Sequence, residues 1–432
     1  MQFYSLNKQS TTVDFKTATI LGQAPDKGLY FPEVIPQVSK KLIDNIENFS
    51  NEAIALQVIT PYIGESIPKK ELDRIINETV NFEFPIIKIS ESIYSLELFH
   101  GPTLAFKDVG ARFMSLCLGY FAKGNNKKVT VLVATSGDTG GAVAQGFYDV
   151  EGVDVVILYP SGKVSNVQEK QLTTLGKNIY ALEVDGTFDE CQQMVKAAFA
   201  DNMLNKKLKL TSANSINVAR WLPQQFYYFY LWKQWKDKNN PPVVAVPSGN
   251  FGNICAGLLA RQSGLPIKHF IAACNTNDTV PQFLNTGNYH PKKAIATLSN
   301  AMDVGDPSNF IRVLQLFERQ NELLKKLMSG YSVSDEETKT TLVSVLKDHN
   351  YLLDPHGAVA YKALYDHLAI FPADKGVILE TAHPIKFYDK IEPLIEQPVE
   401  VPEKIAMMMN KEKFSTKISA DTSSLIDFLM AK

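Results

Sequence analysis

The chain reads as an α/β protein with two open, mainly parallel sheets flanked by helices and a helical N-terminal portion. Two observations predict this class. Short runs rich in β-branched and apolar residues recur with helix-length segments between them, the pattern of parallel strands joined by helical crossovers. The runs also fall into two series, one before and one after Tyr230, which two sheets accommodate most economically.

Residues 1–90 mix turn signals with amphipathic stretches at 51–59 and 68–76, so this portion is expected to be helical. The first strand series is 129–134, 153–158, 178–184 and 208–211. The second is 243–246, 269–273 and 376–380, with a long, mainly helical stretch expected over 309–367. Within it Asp354-Pro-His-Gly357 is a turn and helix-start signal. The expected domains are a helical portion (1–90), a smaller α/β domain (110–210), a larger cofactor domain (91–109 with 211–400) and a C-terminal extension (401–432). No internal repeat or low-complexity segment interrupts them.

With 432 residues, 45% hydrophobic and 21% charged, the composition is that of a soluble globular protein. A net charge of -2 gives no electrostatic case for nucleic acid or anionic membrane, so a small-molecule ligand is the default expectation. Lys206-Lys207 and Lys325-Lys326 read as solvated helix faces, and the seven histidines show no metal-binding spacing. Four cysteines without a C-x-x-C pair read as reduced core residues of a cytosolic protein. The N-terminus lacks a secretory pattern, and no apolar run is long enough to span a bilayer. The expected location is therefore the cytoplasm, and the expected assembly a monomer or weak homo-oligomer.

Lys107 stands in His100-Gly-Pro-Thr-Leu-Ala-Phe-Lys-Asp-Val-Gly-Ala-Arg112, where a Gly-Pro turn leads into a short apolar segment. A lysine held in a partly apolar pocket is a nucleophile, because burial disfavours its charged form. Taken alone, Phe106-Lys107-Asp108 also reads as a solvated turn with an ion pair.

Three polar loops follow strands, where open α/β sheets bind ligands. Thr135-Ser-Gly-Asp-Thr-Gly-Gly141 puts glycines and hydroxyls at a helix start, and also reads as a turn capped by Ser136 or Thr139. Pro247-Ser-Gly-Asn-Phe-Gly-Asn253 is the better phosphate cradle. Gly249 and Gly252 permit close backbone approach there, and Ser248, Asn250 and Asn253 donate hydrogen bonds. It is neither a P-loop nor a dinucleotide fingerprint. Thr211-Ser-Ala-Asn-Ser-Ile-Asn-Val-Ala-Arg220 joins hydroxyl and amide donors to an arginine suited to phosphate or carboxylate, and also reads as a polar loop capping a helix. Three such loops suit a ligand system with several anionic groups, such as a phosphorylated cofactor with a phosphorylated amino acid.

The chain resembles the threonine synthases, pyridoxal-phosphate enzymes of fold type II. The motifs that carry the resemblance are Ala24-Pro-Asp-Lys-Gly-Leu-Tyr-Phe-Pro32, the Lys107 segment, Thr135–Gly140, Asn214-Ser-Ile-Asn217, Pro247–Asn253, Ala301-Met-Asp-Val-Gly-Asp-Pro-Ser-Asn309 and Glu380-Thr-Ala-His-Pro384. The resemblance implies pyridoxal 5'-phosphate as cofactor, Lys107 as its Schiff-base lysine, and a phosphate site made by Ser248, Gly249, Asn250, Phe251, Gly252 and Asn253. It implies that Thr381 faces the pyridine nitrogen and that Asp138 lies beside the ring hydroxyl. Ser136, Gly137 and Thr139 would receive the substrate carboxylate, and Asn214, Ser215 and Arg220 the substrate phosphate.

Two positions depart from the common pattern. Asp138 stands where many relatives carry asparagine, although the longer threonine synthases commonly carry aspartate. Lys27 replaces a frequent glycine and reads as a surface variation. The implied reaction converts O-phospho-L-homoserine and water into L-threonine and phosphate. The alternatives are a phospho-lyase or dehydratase releasing a 2-oxo acid and ammonia, and a non-catalytic phospho-metabolite binding protein.

Overall fold

The computed structural model describes residues 1–124 and 127–432. In chain order its strands are β1 (Gln2–Ser5), β2 (Val13–Asp14), β3 (Tyr30–Pro32), β4 (Ile86–Lys88), β5 (Ile93–Glu97), β6 (Val129–Ala134) and β7 (Val153–Pro160). There follow β8 (Ile179–Asp185), β9 (Lys209–Ser212), β10 (Val243–Pro247), β11 (His269–Cys274), β12 (Met328–Ser332), β13 (Gly376–Glu380) and β14 (Thr416–Ser419).

Two mainly parallel sheets dominate, as expected from the sequence. The larger runs β12-β11-β10-β13-β5-β4, parallel throughout except for the antiparallel edge strand β4. The smaller, β14-β8-β7-β6-β9, is wholly parallel. Every residue of β6 and of β13 is buried, because helices cover both faces. Such strands show no polar alternation and read as continuous apolar runs. Helix Pro355–Ile370 packs on β10 and β13, and helix Gln225–Gln234 lies against helices Gly252–Gln262 and Asn51–Ile63. Residues 225–232 are all buried, so that helix is enclosed on every side.

The N-terminal portion is helical, with an unexpected three-stranded antiparallel sheet, β2-β1-β3, beside its helices. Its strands are two to four residues long, too short for a periodic signal. The stretch 309–367, read as mainly helical, contains β12, a short edge strand with only one fully buried residue. β5 went unmarked although it lies inside the larger sheet. Its Ser95 and Glu97 are polar because both hydrogen-bond the Tyr351 hydroxyl, at 3.0 and 2.8 Å, which hides the strand pattern. β14 comes from the C-terminal segment and adds a parallel edge to β8.

Candidate active site

Because β10, β13 and β5 are neighbours, the loops beyond their carboxyl ends lie side by side. β6 and β9 are likewise adjacent in the smaller sheet, which brings the 135–138 and 213–220 loops together.

Lys107 opens helix Lys107–Ala122 and is positioned by backbone bonds. Phe106 N donates to Thr381 O at 2.9 Å, and His383 N donates to Leu104 O at 3.1 Å. Leu104 turns the chain with φ +58°, in the left-handed region that non-glycine residues seldom occupy. The Tyr227 hydroxyl bonds the Phe106 carbonyl. These contacts fasten the Lys107 segment to the loop that carries Thr381.

Asp108 does not pair with Lys107. It turns back to accept from Thr103 N at 2.9 Å and Thr103 Oγ1 at 2.5 Å, so the solvated-turn reading of Phe106-Lys107-Asp108 is wrong. The Lys107 amine instead lies 3.7 Å from Asp138 Oδ2, with its side chain 16% exposed. Burial lowers the Lys107 pKa. Asp138 opposes that fall, while the charges of Lys386 and Arg220 add to it.

Asp138 begins helix Asp138–Phe147, after Gly137 at φ +136°. Neither Ser136 nor Thr139 caps this helix; Thr135 Oγ1 does so by accepting from Gly137 N at 3.0 Å and Gly140 N at 2.8 Å. A side chain at Gly137 would collide with Gln168, which donates to Asp138 Oδ1 at 2.9 Å. Lys386 is fully buried and meets the same oxygen at 2.8 Å. Burial alone would raise the Asp138 pKa, but Lys386, Lys107 and Gln168 outweigh it and hold the group below the usual carboxylate range.

The 248–253 loop leads into helix Gly252–Gln262. Phe251 adopts φ +60° at its N-cap. A Cβ on Gly249 would lie 2.7 Å from Met302 Cα and 2.8 Å from Ala301 O, so only glycine fits. Ser248 is buried, with its hydroxyl on Val246 O. Asn250 Nδ2 donates to Ser215 Oγ at 2.8 Å, Asn309 Nδ2 donates to the same oxygen at 3.1 Å, and Asn250 Oδ1 accepts from Ser308 N at 2.6 Å. The 301–309 motif thus backs the glycine and ties two loops together.

In the third loop Asn217 caps helix Val218–Trp221, as the polar-loop reading expects, and Asn214 is half-buried beside Ser215. Arg220 is buried against the Lys107 helix, near Gly110, and bonds the Ala213 carbonyl. Its Nε is buried without a partner among the described residues, and burial pushes its pKa down to about 10.

Sequence reasoning missed Lys386, Gln168 and a polar chain behind the site. Ala301 N donates to His356 Nε2 at 3.2 Å, which leaves Nδ1 to donate to Asp354 Oδ1 at 2.5 Å. Asp354 N in turn donates to Glu380 Oε1 at 2.6 Å, one residue before Thr381. Burial, then the Asp354 charge, raise the Glu380 pKa well above its usual value. A lysine between Ile385 and Phe387, two residues beyond the Glu380–Pro384 motif, was the available signal for Lys386.

These residues fit pyridoxal phosphate. The cradle at 248–253 opens on a helix N-terminus, and Asn253 Nδ2 is buried there without a partner among the described residues. A buried amine with a lowered pKa stands beyond β5, fastened by backbone bonds to the Thr381 loop that follows β13, the strand next to β10.

Known proteins agree with this reading. The pyridoxal-phosphate dependent enzyme family matches residues 85–381, the threonine synthase N terminus family residues 2–80, and the threonine synthase C-terminal family residues 357–429. Threonine synthase of Escherichia coli K12 is 44% identical over 431 residues, covering 100% of this chain and 99% of that one. The crystal structure of threonine synthase from Escherichia coli superposes with a TM-score of 0.93 at 44% identity, covering 100% of both chains. The pyridoxal-phosphate-bound threonine synthase from Brucella melitensis also gives 0.93, at 32% identity, covering 100% of this chain and 99% of that one. With relatives this similar over its whole length, the chain belongs to the threonine synthase family of pyridoxal-phosphate-dependent lyases.

Proposed function

We propose that the family's reaction, O-phospho-L-homoserine and water to L-threonine and phosphate, is carried by Lys107 as the proton-transferring amine. When bound, pyridoxal phosphate supplies an aldehyde for an amine and a conjugated ring that draws electrons from the substrate carbons. Ser248, Gly249, Asn250, Phe251, Gly252 and Asn253 would hold its phosphate, Thr381 its ring nitrogen, and Asp138 its ring hydroxyl.

Lys107, buried and short of one counter-charge, is suited to take a proton from the substrate α-carbon and return it. Ser136, Gly137 and Thr139, at the start of helix Asp138–Phe147, would orient the substrate carboxylate where the helix dipole favours an anion. Arg220, with Asn214 and Ser215, would bind the substrate phosphate and offset its growing charge as it leaves. The observation that carries this reading is the buried Lys107 amine 3.7 Å from Asp138, fastened by backbone bonds to the Thr381 loop.

Residues 91–109 and 211–400 would act as one cofactor-holding unit and 110–210 as a second that meets it, a division supported by the two separate sheets. A cytoplasmic location is supported by four buried, unpaired cysteines and by the absence, among the described residues, of a helix long and apolar enough to cross a membrane.

Product analysis tests the reaction. Purified protein given pyridoxal phosphate and O-phospho-L-homoserine is expected to release phosphate and L-threonine in equal amounts; a 2-oxo acid with ammonia as main products would rule the proposal out. Arg220→Ala is expected to raise KM for phosphohomoserine roughly ten- to a hundredfold, the scale of a lost charged hydrogen bond, with a much smaller change in cofactor affinity. Equal losses of both would make Arg220 structural.

A further inference from the structure

The site contains a second buried lysine. Lys386 is wholly shielded from solvent, with Nζ 2.8 Å from Asp138 Oδ1 and 3.0 Å from the Thr103 carbonyl. A buried ammonium persists only where a carboxylate and carbonyls replace its water. The loop that carries it is itself fixed, because Ser165 Oγ donates to Lys386 O at 2.8 Å.

Asp138 meets its two lysines through different oxygens. Oδ1 takes Lys386 and Gln168 at hydrogen-bond distance, and Oδ2 faces Lys107 at the looser 3.7 Å. The other charged groups that act on this cluster are Arg220, Asp354 and Asp108, the last engaged by Thr103. Two ammoniums therefore share one carboxylate directly. Releasing the Lys107 proton leaves a neutral, closely bonded Asp138–Lys386 pair. Without Lys386, the carboxylate would serve Lys107 alone and its attraction would hold the proton there.

We propose that Lys386 is a positioning residue, a fixed counter-ion that engages Asp138 so that Lys107 remains the lysine free to release its proton. The inference rests on the reading of Lys107 as the cofactor lysine, and it adds a reason why an aspartate is compatible with that role.

The test is a pH titration of the bound cofactor's absorbance in the holoenzyme, for the unaltered protein, Lys386→Gln, Asp138→Asn and the double variant. Lys386→Gln is expected to raise the midpoint by about one pH unit or more, since an opposite charge beside the nitrogen is unmasked. Asp138→Asn is expected to lower it, and the double variant to return it close to the unaltered value. A merely structural lysine would not give opposite shifts that cancel. Unmoved midpoints, or single variants that shift in the same direction, overturn the proposal. If Lys386→Gln does not fold, the fall in Asp138→Asn and its reversal in the double variant carry the same test. Borohydride reduction and peptide mapping of the same samples separate the two readings. Label on Lys107 with unmoved midpoints defeats the role of Lys386 alone; label elsewhere defeats both.

Discussion

Lys107 is an ordinary residue type made unusual by its neighbours. Burial and two nearby cations pull its pKa down, and the loop on which it sits is held by Thr381 and His383. The motif made this lysine legible, but its partner was not: Asp108, adjacent in sequence, faces Thr103, while Asp138 arrives from the other sheet. Spacing along the chain carries no information about such a meeting. Gly249 shows the same limit in reverse, since its glycine is plain in the sequence and its reason, Met302 and Ala301 at the back of the loop, is not. Gly249→Ala is expected to displace the loop at a cost of about 1–3 kcal/mol, the usual range for overpacking. Cofactor titration checks it: the variant should bind pyridoxal phosphate less tightly, and unchanged affinity would show that the loop yields freely.

Among the elements, the strands buried on both faces were readable from their apolar runs, with β6 and β13 matching to the residue. Those that escaped were short, or at an edge, or carried polar residues for a tertiary partner, as Ser95 and Glu97 do for Tyr351. The turn at Lys27 is a further case. It reads as a harmless surface substitution and is indeed exposed, yet its backbone has φ +65°, a conformation that favours glycine. Lys27→Gly is expected to raise unfolding stability by up to about 1 kcal/mol, because relief of left-handed strain exceeds the added freedom of the unfolded chain. Denaturant melts provide the check, with the midpoint moving up at constant slope; a lower midpoint would mean that the Lys27 side chain contributes more than the strain costs.

At the scale of the whole molecule, the two sheets meet through buried polar contacts at the candidate site. Asp138 on one side faces Lys107 and Lys386 on the other, and Gln171 Nε2 reaches Thr103 O at 2.9 Å. Acid should loosen the folded state elsewhere as well. Burial, and the stacked His367, push the His269 pKa down to about 4. Below the ordinary histidine value of about 6.5 the unfolded chain binds a proton that the folded chain refuses, so this stability is present above that pH and is lost as pH falls toward 4. The loss cannot exceed about 1.4 kcal/mol per pH unit for one group. Urea melts of the unaltered protein and His269→Gln between pH 7 and 4.5 should therefore converge in that direction, and a constant gap would contradict the assignment. The most direct test of the account as a whole is borohydride reduction of the cofactor-loaded protein followed by peptide mass mapping. The predicted result is a single pyridoxyl label on Lys107 with Lys386 unmodified; a label on Lys386 would contradict it.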